Sequence, residues 1–228
     1  MWIELLCFAI LCMIYFLFYV DAKVNKCDEI YLYDQLLTRT NLFRETFLKS
    51  PFYFDGTHLN EKNDKSLLEK YSKKKGAYSS YNKMYVPIAL IEPQLRFEAL
   101  NRVHYIDTFL PLHSNSCSIN YYIVKEGNCK ITFIHPKFKE NFLNNDENLV
   151  QTKSKLDYIK KHEQFKTIVF DKNSIIYIPN NWILFIENNA GEPNPKKQCV
   201  LETIHYKTIT NQIIGWVKNN IMKHHKNL

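Results

Sequence analysis

Glycine is scarce, with 5 residues in a chain of 228. Neither a Walker-type loop nor a G-x-G-x-x-G fingerprint occurs, which removes the glycine-rich cradles that hold phosphates. The 6 cysteines include no C-x-x-C pair, and Cys27, Cys117, Cys129 and Cys199 are scattered, which argues against a zinc knuckle. No Ser/His/Asp pattern of a hydrolase is legible, and there are no internal repeats. Despite many asparagines the chain has no Asn-X-Ser/Thr site, which leans away from a domain dwelling in a glycosylating lumen. A basic–aromatic motif is missing too. The net charge of +7 therefore reads as a lysine-rich solvated surface, and nucleic acid is not an expected partner.

What is present begins with the first twenty residues, MWIELLCFAILCMIYFLFYV, whose one charge is Glu4. Every Lys and Arg lies further on. At about 1.5 Å per residue, such a run spans a hydrocarbon core of roughly 30 Å. The expectation is a single transmembrane anchor over residues 1–20, with the membrane as partner and Cys7 and Cys12 as lipid-facing filler. A cleaved signal peptide is the rival. It lacks the cationic leading region, although Val20-Asp21-Ala22 is an acceptable cleavage pattern. Orientation stays open, because Asp21, Lys23, Lys26, Asp28 and Glu29 give no clear positive-inside signal.

Residues 21–84 read as a helical and polar connecting region. Ile30, Leu32, Leu36 and Leu37, then Leu42, Phe43, Phe47 and Leu48, recur at helical spacing and predict two short helices. From His58 to Ser80 the chain is polar, with Lys73-Lys74-Lys75-Gly76 as a solvated loop. Residues 85–228 change texture to short β-branched and aromatic runs. Strands are predicted at Tyr85–Ile91, Arg102–Leu110, Ile119–Lys125, Lys130–His135, Thr167–Phe170, Ser174–Ile178, Trp182–Glu187 and Cys199–Tyr206. Asp171-Lys172-Asn173 and Pro179-Asn180-Asn181 are turns between them. A closing helix follows from Thr210 as N-cap to His225. The fold class is mainly β, a barrel or double-sheet jelly roll with flanking helices.

Two stretches carry more. One is Phe109-Leu110-Pro111-Leu112-His113-Ser114-Asn115, followed by Glu126-Gly127 and His135-Pro136. The other is Ile175-Ile176-Tyr177-Ile178-Pro179-Asn180-Asn181-Trp182-Ile183-Leu184. In order and spacing they resemble the cupin-like and Jumonji-type double-stranded β-helix family over roughly Val103 to Tyr206. Membrane-anchored proteins of this texture occur in large DNA viruses, and the resemblance extends to them.

Enzymes of that family hold Fe(II) with two histidines and a carboxylate, leaving room for 2-oxoglutarate and oxygen. Carried over by position, the resemblance makes His113 the first ligand. Asn115 stands for the carboxylate, Leu184 for the second histidine and Cys129 for the lysine that anchors the cosubstrate. Lys130 is adjacent but belongs to the opposite strand face. Two of three ligands are missing, so no metal and no cofactor are expected. His113, Asn115, Cys129, Trp182 and Leu184 are left as a candidate ligand-binding barrel mouth.

The leading expectation is a membrane-anchored, non-catalytic binding or assembly protein with unidentified protein partners. An Fe(II)/2-oxoglutarate oxygenase with a shifted ligand set is the alternative. It draws on His104 with Asp107, or on His205 beside His113. A carbohydrate-binding jelly roll is a minor third. Asp107 and Glu187 read as rim residues rather than an acid–base pair, and His224-His225 as a solvated tail.

Overall fold

Alternation along the strands, interrupted by asparagine turns, folds this sequence into two sheets. The computed structural model describes residues 2–22, 29–34, 38–56, 91, 98–114, 117–141, 165–189, 198–208 and 211–213. Helix α1 covers Trp2–Ala22 and α2 covers Arg39–Leu48. The strands are β1 (Tyr31–Leu32), β2 (Phe52–Asp55), β3 (Glu98–Ile106), β4 (Phe109–Ser114), β5 (Ile119–Glu126), β6 (Cys129–Ile134), β7 (Phe165–Phe170), β8 (Ser174–Pro179), β9 (Ile183–Asn188) and β10 (Cys199–Lys207). A 3-10 turn at Pro136–Asn141 follows β6.

The larger sheet has the order β1-β2-β8-β5-β10-β3 and the smaller the order β4-β9-β6-β7. Without β1 and β2, strands β3 to β10 form two four-stranded sheets: the sixth, third, last and first are neighbours in one, and the second, seventh, fourth and fifth in the other. This is the hydrogen-bonding order of an eight-stranded jelly roll, the double-stranded β-helix. The expected fold class is therefore correct in its β part.

The larger sheet is buried on both faces. Its inner face gives Tyr122, Val124, Ile176, Ile178 and Leu201 to the core between the sheets. Its outer face, which β2 extends with Phe52 and Phe54, packs Tyr121, Ile123, Ile175, Tyr177, Ile204 and Tyr206 in one cluster with Tyr33 and Leu42 from the N-terminal region. Double burial explains why Ile175-Ile176-Tyr177-Ile178 is an unbroken apolar run rather than an alternating one. Asn173 and Asn181 take positive φ, 70° and 66°, at the turns flanking β8, a conformation asparagine tolerates better than most residues.

Several expectations are corrected. The single strand predicted over Arg102–Leu110 is two, β3 and β4, separated by a bend at Asp107 and Thr108. The helix expected around Ile30 and Leu32 is instead β1, which pairs in parallel with β2, and β2 itself was not foreseen. Backbone ladder bonds override helical spacing there, because Tyr33 N–H donates to the Tyr53 carbonyl at 2.8 Å. The second helix forms as α2, with Thr38 accepting from the Asn41 N–H at 3.2 Å as its N-cap. The Tyr85–Ile91 strand, apart from buried Ile91, lies outside the described residues, as do Thr210 and all of the closing helix beyond Ile213.

The backbone of α1 is helical over 21 residues. Among the described residues no helix is long and apolar enough to cross a membrane. The α1 side chains from Trp2 to Phe16 are exposed on every side of the helix. Phe16 meets Phe47 of α2, ring centroids 6.3 Å apart.

Candidate functional site

Strand register decides which polar side chains enter the barrel. On β10, Thr203 stands opposite Tyr122 of β5 and Arg102 of β3, and His205 stands opposite Asn120. Tyr122 belongs to the core between the sheets, so period-two alternation carries Arg102, His104, Asn120, Thr203 and His205 to the same inner face. From the smaller sheet, His113 of β4 stands opposite Leu184 of β9, which stands opposite Phe133 of β6. Both Leu184 and Phe133 line that core. Three histidines, His104, His113 and His205, thus share one interior with Arg102, close enough for their charges to interact.

Each imidazole is held in a defined way. Asn120 donates its amide to the Cys117 and Ile178 carbonyls at 3.0 and 3.1 Å, which turns its Oδ1 towards His205 Nδ1 at 2.9 Å. His205 Nδ1 is then the protonated nitrogen. His113 Nδ1 lies 3.0 Å from the Pro111 carbonyl, an acceptor, so its Nε2 is left to receive the Tyr122 hydroxyl at 3.4 Å. Thr203 donates to the Arg102 carbonyl at 3.4 Å and accepts from His104 Nε2 at 3.3 Å. The Tyr122 ring lies between two of them, edge-on to His205 and tilted against His113.

These histidines are neutral. Burial is the first cause for all three. It lowers His205 to about 3, with Arg102, His113 and His104 adding repulsion. It lowers His104 to about 4, with His113 and Arg102 adding to it. For His113 burial outweighs the bond to the Pro111 carbonyl, which favours the charged form, and Arg102 lowers it further.

The residues expected at the site separate into two groups. His113, Leu184 and buried Trp182 sit at the histidine end of the barrel, with Trp182 edge-on to His135 at 5.1 Å. Cys129 does not join them. It pairs with Asn188, four ladder positions from the Phe133–Leu184 pair, at the opposite end. Lys130 turns to the other face, where it meets Glu187 at 3.6 Å. Asp107 also lies away from the histidines, in the exposed bend after β3, where Gln198 donates to its carboxylate and Asn188 to its carbonyl. Asn115 is outside the described residues. Arg102, Asn120, Tyr122 and Thr203 were missed. Their signal was the period-two spacing of Arg102 with His104 and of Thr203 with His205.

The Fe(II) and 2-oxoglutarate implied by the resemblance do not fit this donor set. Among the described residues, no group of three His, Cys, Asp or Glu side chains is placed to hold a metal ion. Leu184 and Phe133 occupy the ladder positions beside His113, and the cation that shares the interior, Arg102, opposes a second one.

No family model and no curated protein matches this sequence. Among solved structures, a cupin-2 domain protein from Shewanella frigidimarina is similar, at 11% identity and a TM-score of 0.34. It covers 62% of this chain and 92% of its own. The coconut allergen cocosin is similar at 11% identity and a TM-score of 0.31, with 50% of this chain aligned to 22% of that one.

Proposed function

We propose that the chain is a membrane-tethered, non-catalytic binding protein built on a double-stranded β-helix, acting in a membrane or particle assembly. The observation that carries this reading is the interior donor set: three neutral histidines with an arginine and, among the described residues, no carboxylate beside them. Such a chamber suits an anionic or hydrogen-bonding ligand better than Fe(II). The tether rests on α1, whose described side chains are exposed and, apart from Glu4 in the first turn, uncharged. On α2, Phe43, Phe47 and Leu48 are exposed next to it.

Convergence of the three histidines favours a second reading, the oxygenase with a shifted ligand set, in which His104 Nδ1 and His205 Nε2 offer their remaining lone pairs. One experiment separates the two. The full chain in detergent is incubated anaerobically with Fe(II) and 2-oxoglutarate, and bound metal is measured by mass spectrometry. Iron at background supports the binding protein. Stoichiometric iron, abolished by His205→Ala, establishes the oxygenase reading instead. For the tether, vesicles carrying the full chain are extracted with alkaline carbonate. Retention in the membrane fraction is expected, and release would overturn it.

A further inference from the structure

The end of the barrel away from the histidines holds a thiol pair. Cys129 opens β6 in the smaller sheet, and Cys199 opens β10 in the larger. Both are fully buried in the core between the sheets, and both are reduced. They belong to one packed cluster, and their thiols are close enough to influence each other's ionisation. The chain can come this close because Gly127, two residues before Cys129, has no side chain. A Cβ there would lie 3.2 Å from Cys199 Cα. Cys117 lies at the other end, where its carbonyl takes the Asn120 amide of the histidine network.

We propose that Cys129 and Cys199 are a disulfide-forming pair, a modification site that ties the two sheets together at the end opposite the histidine chamber. The oxidant is another disulfide, either a small molecule or the active-site bond of an oxidoreductase. One cysteine, as thiolate, attacks that disulfide and releases one oxidant thiol, leaving a mixed disulfide. The second cysteine loses its proton and attacks the protein sulfur of the mixed disulfide, releasing the other oxidant thiol. The protein thiols give up two electrons and two protons, and the oxidant's sulfur–sulfur bond receives them.

The closed barrel protects its own pair. Interaction with the Cys199 thiol, then burial, then the charges of Cys199 and Asp171 raise the Cys129 thiol well above its usual range, which starves the reaction of thiolate. Exchange therefore belongs to the stage before β10 docks between β3 and β5. Once formed, the bond closes the loop that contains β6, β7, β8 and β9, so it restrains the unfolded chain strongly.

The test unfolds the full chain in denaturant with detergent and refolds it with oxidised glutathione. Remaining thiols are then alkylated, and peptides are mapped by mass spectrometry without reduction. A peptide containing Cys129 linked to one containing Cys199 is expected, together with a higher Tm that reductant abolishes. Cys117→Ala should keep the link and Cys199→Ala should remove it. Recovery of Cys129 as a free thiol, as a glutathione adduct, or bonded to Cys117 or Cys27 overturns the proposal. Mapping the unsubstituted chain alone distinguishes these outcomes, so the test does not depend on any variant folding.

Discussion

His113 and Leu184 are direct partners on adjacent antiparallel strands, so both side chains project from one face into the barrel. An imidazole and an isobutyl group at neighbouring positions cannot share a metal. They share a wall of the chamber, and Phe133 continues it on the next strand. Leu184 is fully buried there.

Truncating that wall leaves a void. Leu184→Ala should lower stability by about 2–5 kcal/mol, the usual cost of removing a buried leucine side chain. Urea unfolding of the full chain at neutral pH measures it. A loss under about 1 kcal/mol would show that the wall is not tightly packed.

Acid should weaken the fold through the histidines. A group whose folded pKa is lowered stays neutral in the folded state while its unfolded counterpart protonates. Its contribution is whole above the unfolded value near 6.5 and is lost as pH falls from there towards about 4 for His104 and about 3 for His205. For His205 alone, moving from pH 6.5 to 5 should cost about 2 kcal/mol. Among the described residues, Arg102, His104, His113 and Tyr122 are the charged or titratable groups that face it. Denaturant unfolding at the two pH values, compared with His205→Gln, reads the difference. An unchanged slope in the variant would remove His205 from the account.

A buried ion pair lies on the other face of the larger sheet. Lys125 Nζ is 3.1 Å from Glu202 Oε2, both groups nearly inaccessible, and Asn101 donates to Oε1 at 2.7 Å. Glu202→Gln removes the charge that Glu202 sets against a buried ammonium and should cost about 3–5 kcal/mol. The double variant Lys125→Met with Glu202→Leu should recover most of that, because neither partner is then left charged. Chemical denaturation of the three proteins checks it. A double variant as weak as the single would assign the loss to packing.

The fold was legible where local chemistry and tertiary context agreed. Asn173 and Asn181 sit at turns that need a positive φ, and the Ile-Ile-Tyr-Ile run is a strand because both its faces are covered. It was not legible where the two disagreed. Ile30 and Leu32 have helical spacing, yet Tyr31 and Leu32 pair with β2, a partner no local pattern announces. The site was split in the same way. His113 and Leu184 were found by motif position, but Arg102 and Thr203 enter the chamber only through the register of β3 with β10, residues about a hundred apart in sequence. Cys129 was placed at the mouth by its position after Gly127, whereas β6 carries it to the far end.

Gly127 itself gives the last prediction. Its φ of +69° lies in the left-handed region, and an added Cβ would sit 3.0 Å from the Gln198 carbonyl oxygen and 3.2 Å from Cys199 Cα. Both neighbours are backbone and cannot swing aside as a side chain would. Gly127→Ala should therefore combine conformational strain with crowding and cost about 1–3 kcal/mol. Gly127→Asn meets the same crowding but tolerates the left-handed conformation better, so it should fall between alanine and the unsubstituted chain. Because the crowding presses on Cys199, both variants should also form less of the Cys129–Cys199 bond under the same refolding. Thermal unfolding and peptide mapping of the two proteins supply the comparison. Alanine at full stability would mean that the hairpin and β10 are further apart than the geometry places them.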